Sequence, residues 1–306
     1  MATDNNRHNA TNGNQDYLEK DFSNNNGNYH MDNPNTSNGE ALNRIRTAGS
    51  ISISPELFEK LYLSPQNAVK GDLRKTFGNP TPVALLGFLL SLSPLSCDLM
   101  GWRGAGGNGA AGIGSYYFFG GLLMMLGGFL EFILGNTFPF VVFTSFGAFW
   151  LTFAATLQPF YYAYGSYSTT GVEADGLATV GFTASFGFFL VFMGVLCLIY
   201  LICSLRTNMV FVVIFFTLVL AFGLLAGAYW QNAKYIGNAD AAAGALAGRL
   251  QIAAGACTFV TSMAGWWIFF AIMLAALDFP FQIPVGDLST LIKGASEKQK
   301  AKENMV

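Results

Sequence analysis

Beyond a polar start the chain turns almost wholly apolar. From Pro80 to Leu277, hydrophobic residues run in long blocks separated by short clusters of Gly, Asn, Ser and charge. Six blocks reach the roughly 20 residues that a helix needs to cross hydrocarbon: approximately Pro80–Trp102, Ser115–Leu134, Phe138–Leu157, Ala178–Leu205, Met209–Trp230 and Ala247–Leu277. The fourth and sixth exceed that minimum, which predicts tilt or an exposed extra turn. Gly135-Asn136-Thr137 is so short a link that the second and third segments must be antiparallel neighbours. The pattern predicts an all-α membrane protein with six transmembrane helices over residues 79–278.

The flanks read differently. Residues 1–50 are rich in Asn, with scattered Gly, Ser and Asp and almost no aliphatic side chains. Such a segment cannot bury enough apolar surface to offset chain entropy, which predicts a disordered arm. It has no apolar stretch of the signal-peptide kind, so cleavage is not expected. Arg44-Ile45-Arg46-Thr47-Ala48-Gly49-Ser50 places hydroxyls after basic residues, a pattern shared by kinase substrates and solvated linkers. Over 51–78, Leu57, Phe58, Leu61 and Tyr62 recur at helical spacing after Ser54-Pro55-Glu56, predicting an amphipathic juxtamembrane lead-in. Residues 279–306 read as a short basic tail. Basic flanks orient membrane helices. One side collects Lys70, Arg74, Lys75, Arg206, Lys293, Lys298, Lys300 and Lys302, and the other Arg103, Lys234 and Arg249. Both termini are therefore expected in the cytosol.

Composition removes most other functions. The 306 residues are 52% hydrophobic and 11% charged, against about 25% charged in soluble domains. A net charge of −2 leaves no basic face for nucleic acid. Both histidines, His8 and His30, lie in the arm, so no His-based metal or haem site and no Ser–His hydrolase is expected among the helices. The segments hold no Lys for a Schiff base, and the chain has no GxxxxGK phosphate loop. Cys97, Cys197, Cys203 and Cys257 lack CxxC spacing and read as small buried hydrophobes. No cofactor, no metal and no catalysis are expected, which leaves permeation.

The polar residues inside the bundle then gain weight. Glu131 lies about one turn from the end of the second segment, where a carboxyl must be paired, protonated or facing a wet cavity. It serves either proton exchange or anchoring of the turn that follows. Ser91, Ser93, Pro94 and Ser96 lead to Asp98 in the first segment, and Pro94 frees a backbone carbonyl. Gly223 with Gly227 and Gly244 with Gly248 form GxxxG, and Gly120, Gly121, Gly127 and Gly128 repeat at heptad spacing. Small residues of this kind let helix backbones approach closely. Pro80 and Pro82 leave free donors at the positive start of the first helix, which either Asn79 caps or a carboxylate could meet.

Three ordered blocks carry a family resemblance. Asn79-Pro80-Thr81-Pro82-Val83-Ala84-Leu85 resembles the NPxPxGL-type signature that opens the first helix of the acetate uptake transporter family. Gly120-Gly121, Gly128-Phe129-Leu130-Glu131-Phe132 and Gly135-Asn136-Thr137-Phe138 are similar to its second-helix block. Phe143-Thr144-Ser145-Phe146-Gly147-Ala148-Phe149-Trp150 is similar to its third. The family includes fungal acetate/ammonium transporters and bacterial acetate–succinate permeases. The resemblance implies six transmembrane helices per protomer in a homohexamer, each with its own pathway for acetate and other short monocarboxylates, coupled to protons. It implies a constriction at Phe88, Phe146 and Leu218, with Asn79, Thr81, Thr144 and Ser145 as candidate carboxylate donors and Glu131 as the candidate proton-coupling or structural carboxyl. The plasma membrane is the implied location. Three departures stand out: Ala84 where the family has Gly, Met124 where it has Gln, and Phe146 where Tyr is frequent. Each is expected to make the pathway narrower or less polar. The alternatives are an uncoupled acetate or ammonia channel and a non-transporting acetate-sensing membrane protein.

Overall fold

The computed structural model describes residues 77–288. The expected arm over 1–50, nearly all of the lead-in over 51–78 and the tail beyond 288 lie outside the described residues. Six helices long and apolar enough to cross a membrane make up the described chain: α1 (Thr81–Leu99), α2 (Gly107–Ile133), α3 (Thr137–Leu157), α4 (Val180–Ser204), α5 (Met209–Asn238) and α6 (Ala241–Ala276). Backbone groups without water must pair within their own segment, and the helix is the form that does this for a single span. Among the described residues no strand forms, and a lone antiparallel bridge joins Asn208 to Asp287.

Short polar residues set the helix starts. At α1, Asn79 Oδ1 accepts from the Thr81 N–H at 2.9 Å, ahead of a proline in the first turn. Asn208 Oδ1 accepts from Phe211 N at 2.9 Å to open α5. Asp240 Oδ1 accepts from Ala242 N at 3.0 Å and Ala243 N at 3.1 Å to open α6. The last two helices are longer than the apolar runs predict. α5 continues past Trp230 through Gln231, Asn232 and Lys234, and α6 begins six residues before Ala247. Gln, Lys and Ala favour helix well enough to extend it outside hydrocarbon, and Ala239, at φ +52, with Asp240 makes a two-residue reversal. α1 runs unbroken through Pro94, which is exposed.

The helices pack in the order α3, α2, α1, α6, α5, α4. Glycines on α2 determine how closely its neighbours come. A Cβ on Gly127 would lie 2.9 Å from the Ala84 nitrogen of α1, and one on Gly128 would lie 3.1 Å from the Thr144 nitrogen of α3. Of the α2 repeat, Gly127 thus meets α1, Gly121 and Gly128 meet α3, and Gly120 is pressed by Trp150 of α3 and Ser91 of α1. Gly120 and Gly121 lie within a π-helical stretch of α2, Tyr116–Leu123. The GxxxG pairs behave differently. A side chain at Gly223 or Gly248 would meet nothing within 4 Å, and one at Gly227 only ordinary contact at 3.4 Å. Of these four, only Gly244 is tightly covered, by Tyr235 of the adjoining helix end. The α5–α6 pairing rests on larger side chains and on the Thr217–Thr261 hydroxyl pair at 2.7 Å.

Beyond α6, residues 277–288 turn back as a strap. Pro284 O accepts from Trp267 Nε1 at 2.9 Å, Gly286 O accepts from Met209 N at 2.7 Å, and Leu288 N donates to Thr207 O at 3.0 Å. Val285 is buried beneath it. The strap holds the ends of α4 and α6 and the start of α5 together.

Candidate permeation pathway

Aromatic and aliphatic side chains from α1, α3 and α5 converge on the middle of the helix arrangement. Phe88 and Phe146 meet edge to face, with ring centroids 6.1 Å apart, and Leu218 is buried with them. This geometry favours aromatic pairs over a face-to-face sandwich. Two cavities of about 30 Å³ each flank the trio. One lies among Leu85, Met124, Phe143, Phe211 and Phe215, the other among Leu92, Trp150, Ala221, Phe222 and Thr258. Phe88, Phe146 and Leu218 are the residues the two cavities have in common. They separate two hollows that otherwise lie in line.

The line continues in both directions. Leu95, Leu99, Phe149 and Leu225 are shared between the Trp150 cavity and a vestibule of about 340 Å³. Asn108, Thr156, Thr183, Asn232 and Gln251 supply the vestibule's polar lining. On the other side, Val142, Phe143, Phe211 and Phe215 are shared with a space of about 10 Å³ that reaches Thr81. The amides Asn108, Asn232 and Gln251 lie outside the sequence-derived set. Asn232 falls beyond the predicted end of the fifth segment, and only the α5 extension brings it beside Gln251.

Of the four candidate donors only Thr81 lines one of these spaces, and all four are engaged within the fold. Asn79 caps Thr81, as described. Thr144 Oγ1 donates to Phe140 O at 2.7 Å, as hydroxyls on helices often do one turn back. Ser145 Oγ donates to Val142 O at 2.9 Å and pairs with the Tyr200 hydroxyl at 2.9 Å. Tyr200 in turn packs its ring against Phe146, Phe138 and Phe215. The hydroxyl that Phe146 lacks therefore stands next door, on α4.

Glu131 is fully buried. Its Oε1 accepts from the Thr81 hydroxyl, and its Oε2 accepts from Asn136 Nδ2 at 2.6 Å. Asn136 N also donates to Glu131 O at 2.9 Å, so the α2–α3 turn is tied to this residue twice. Thr81 stands between the carboxyl and the small terminal space, and Glu131 itself borders none of the four cavities. Of the three departures, Met124 and Phe146 face the Phe88 cavity, where they make the wall apolar. Ala84 instead packs on Gly127 and lines none of these spaces, so its methyl bears on helix contact.

Six apolar helices define a multi-pass integral membrane protein, and the broken line of small cavities among them is its candidate pathway. The chain belongs to the GPR1/FUN34/yaaH family, whose sequence model matches residues 63–290. This agrees with the family resemblance read from the first-, second- and third-helix blocks. The chain is 50% identical to Protein alcS of Aspergillus fumigatus, over 78% of this chain and 86% of that one. It is 33% identical to the Acetate transporter protein patA of Aspergillus clavatus, over 70% and 80% of the two chains. The solved structure of the bacterial acetate channel SatP is 25% identical, with a TM-score of 0.47, covering 69% of this chain and 99% of that one.

Proposed function

We propose that this protein carries acetate and other short-chain monocarboxylates across a membrane, and that a proton crosses with the carboxylate. The observation that carries the reading is the pair of cavities meeting at Phe88, Phe146 and Leu218, within a family whose relatives include a named acetate transporter. An apolar constriction of this kind closes by excluding water. A carboxylate ion in such a throat would lose its hydration without gaining a cation, whereas the neutral acid has far less to lose. The proton thus travels on the substrate, and no side chain in the throat has to carry it. Permeation and not catalysis is the activity. The cytosolic termini, plasma-membrane location and homohexameric assembly expected from the flanks and the family belong to the same reading.

Because Glu131 is held off the cavities, passage of the ion itself would have no side chain to couple it to protons, and in this second reading the protein equilibrates acetate or ammonia. Uptake of labelled acetate into proteoliposomes under an imposed pH gradient separates the two. Proton-linked passage accumulates acetate beyond the distribution set by simple equilibration of the ion, and rises as the pH falls toward the carboxylic-acid range near about 4. Strict equilibration of the ion at every pH would overturn the coupling, and absence of protein-dependent flux would overturn transport itself.

A further inference from the structure

Gly248, of the second GxxxG pair, borders the vestibule of about 340 Å³ and not a neighbouring helix, since a side chain there would meet nothing within 4 Å. Gly244, Gly248 and Gln251 line this space from α6, and Leu225, Tyr229 and Asn232 line it from α5. Both sets recur at i, i+4 and i+7, the stride of a single helix face. Two contacts set the register of this antiparallel pair: Tyr235 covers Gly244, and the Thr217 and Thr261 hydroxyls meet at 2.7 Å. In that register Tyr229 and Gln251 stand within about two residues of the same level, about 3 Å along the helix axes. Leu225, one turn below Tyr229, is shared with the Trp150 cavity, so this level lies one turn from the throat.

The polar groups here divide into engaged and free. Thr156 and Thr183 donate to the carbonyls of Thr152 and Thr179 one turn back, each at 2.8 Å. The Tyr229 hydroxyl and the carboxamides of Asn232 and Gln251 make no hydrogen bond among the described residues. They are not sealed in either. Trp150 Nε1 is the one buried side-chain nitrogen or oxygen among the described residues without a partner, so the free groups of these three half-buried residues open into unfilled space. The Tyr229 ring is held against Phe186, on the same wall, at a centroid separation of 5.1 Å. No Asp, Glu, Lys, Arg or His is among the residues that line the vestibule. An occupant thus meets neutral donors and acceptors beside apolar walls.

We propose that the Tyr229 hydroxyl and the Gln251 carboxamide hold the carboxyl group of the permeating solute at the inner end of the vestibule, with Asn232 one turn further out. This rests on the acetate reading above and adds to it a specific subsite. The ligand class is a small monocarboxylate or its acid. The phenol O–H and the amide N–H donate to the carboxyl oxygens, and Gln251 Oε1 can accept the proton of the neutral acid. Gly248 leaves the room that the solute occupies. With no cation in the lining, the carboxyl group is oriented yet free to leave, as conduction requires.

The test is acetate uptake by full-length protein in proteoliposomes, comparing the unmodified chain with Tyr229→Phe and Gln251→Met. The first keeps the ring and removes the hydroxyl, and the second keeps an unbranched side chain and removes the amide. Each is expected to raise the acetate concentration for half-maximal uptake roughly tenfold, with the maximal rate retained. An unchanged half-saturation in one variant would remove that residue from the subsite, and in both would overturn the subsite while transport stands. Binding gives a readout independent of flux. The melting temperature of the unmodified protein in detergent should rise saturably with sodium acetate, measured against sodium chloride at equal ionic strength. The midpoint of that rise should move to roughly tenfold higher acetate in each variant. One midpoint common to all three proteins, or no rise in the unmodified protein, would overturn the subsite. Absence of protein-dependent flux would overturn the transport reading, while a midpoint that moves in the variants would still uphold the site as one that binds acetate.

Discussion

Glu131 and Phe146 have opposite relations to the pathway, and each substitution tests a different physical term. Glu131 accepts from two side-chain donors, Thr81 and Asn136. Replacing it by Gln keeps an acceptor for Asn136 but makes the Thr81 hydroxyl accept instead of donate, and losing the hydrogen bonds to a carboxylate should cost about 1 kcal/mol. Glu131→Gln is therefore expected to lower thermal stability in detergent while leaving the pH profile of uptake unchanged. A flattened pH profile at unaltered stability would make Glu131 the proton carrier instead. Phe146 packs on Phe88 at the proposed constriction, and Phe146→Ala would open it at a packing cost of about 3 kcal/mol. Relative flux should then shift toward longer carboxylates such as butyrate, measured as the butyrate-to-acetate ratio, and an unchanged ratio would count against the constriction as a selectivity element. Both residues stood out in the sequence: Glu131 as the carboxyl most clearly inside an apolar run, and Phe146 only by family resemblance. Nothing in the residue order distinguishes Phe146 from the many other Phe residues around it.

At the scale of the helices, the glycines offer the sharpest contrast. A methyl added at Gly127 would press on the Ala84 backbone, which cannot swing aside, whereas one at Gly248 would enter open space. Gly127→Ala should cost about 1–3 kcal/mol by overpacking. Gly248→Ala should be neutral, or stabilising by up to about 1 kcal/mol, because Ala favours helix over Gly. Melting temperatures of the two variants check this directly, and the reverse order would refute the packing described here. From spacing alone both glycines belong to equally good small-residue motifs. Which one faces a neighbouring backbone depends on how the helices rotate about their own axes, and the motif does not encode that rotation.

For the molecule as a whole, the spaces of the proposed pathway are lined by residues 81–258. Removing residues 1–50 should therefore leave acetate uptake in proteoliposomes within about twofold of the full chain, a difference of roughly 0.4 kcal/mol. Loss of flux on removal, with the protein still folded, would favour a relay role for the arm and so the sensing alternative.

The sequence by itself determined the number of spans, the tight α2–α3 link and a candidate cap in Asn79. These follow from run length and from short polar side chains acting on their own backbone, both local quantities. It did not determine which apolar side chains face inward. Phe192 of α4 is 70% exposed and Phe88 of α1 is 6% exposed, yet both lie in equally apolar runs. In water, a helix shows its inner face by the polarity of the outer one. Toward lipid both faces are apolar, so that contrast disappears. The alignment of the cavities, their meeting at Phe88, Phe146 and Leu218, and the unmet Trp150 donor were decided only when α1, α3 and α5 packed against one another.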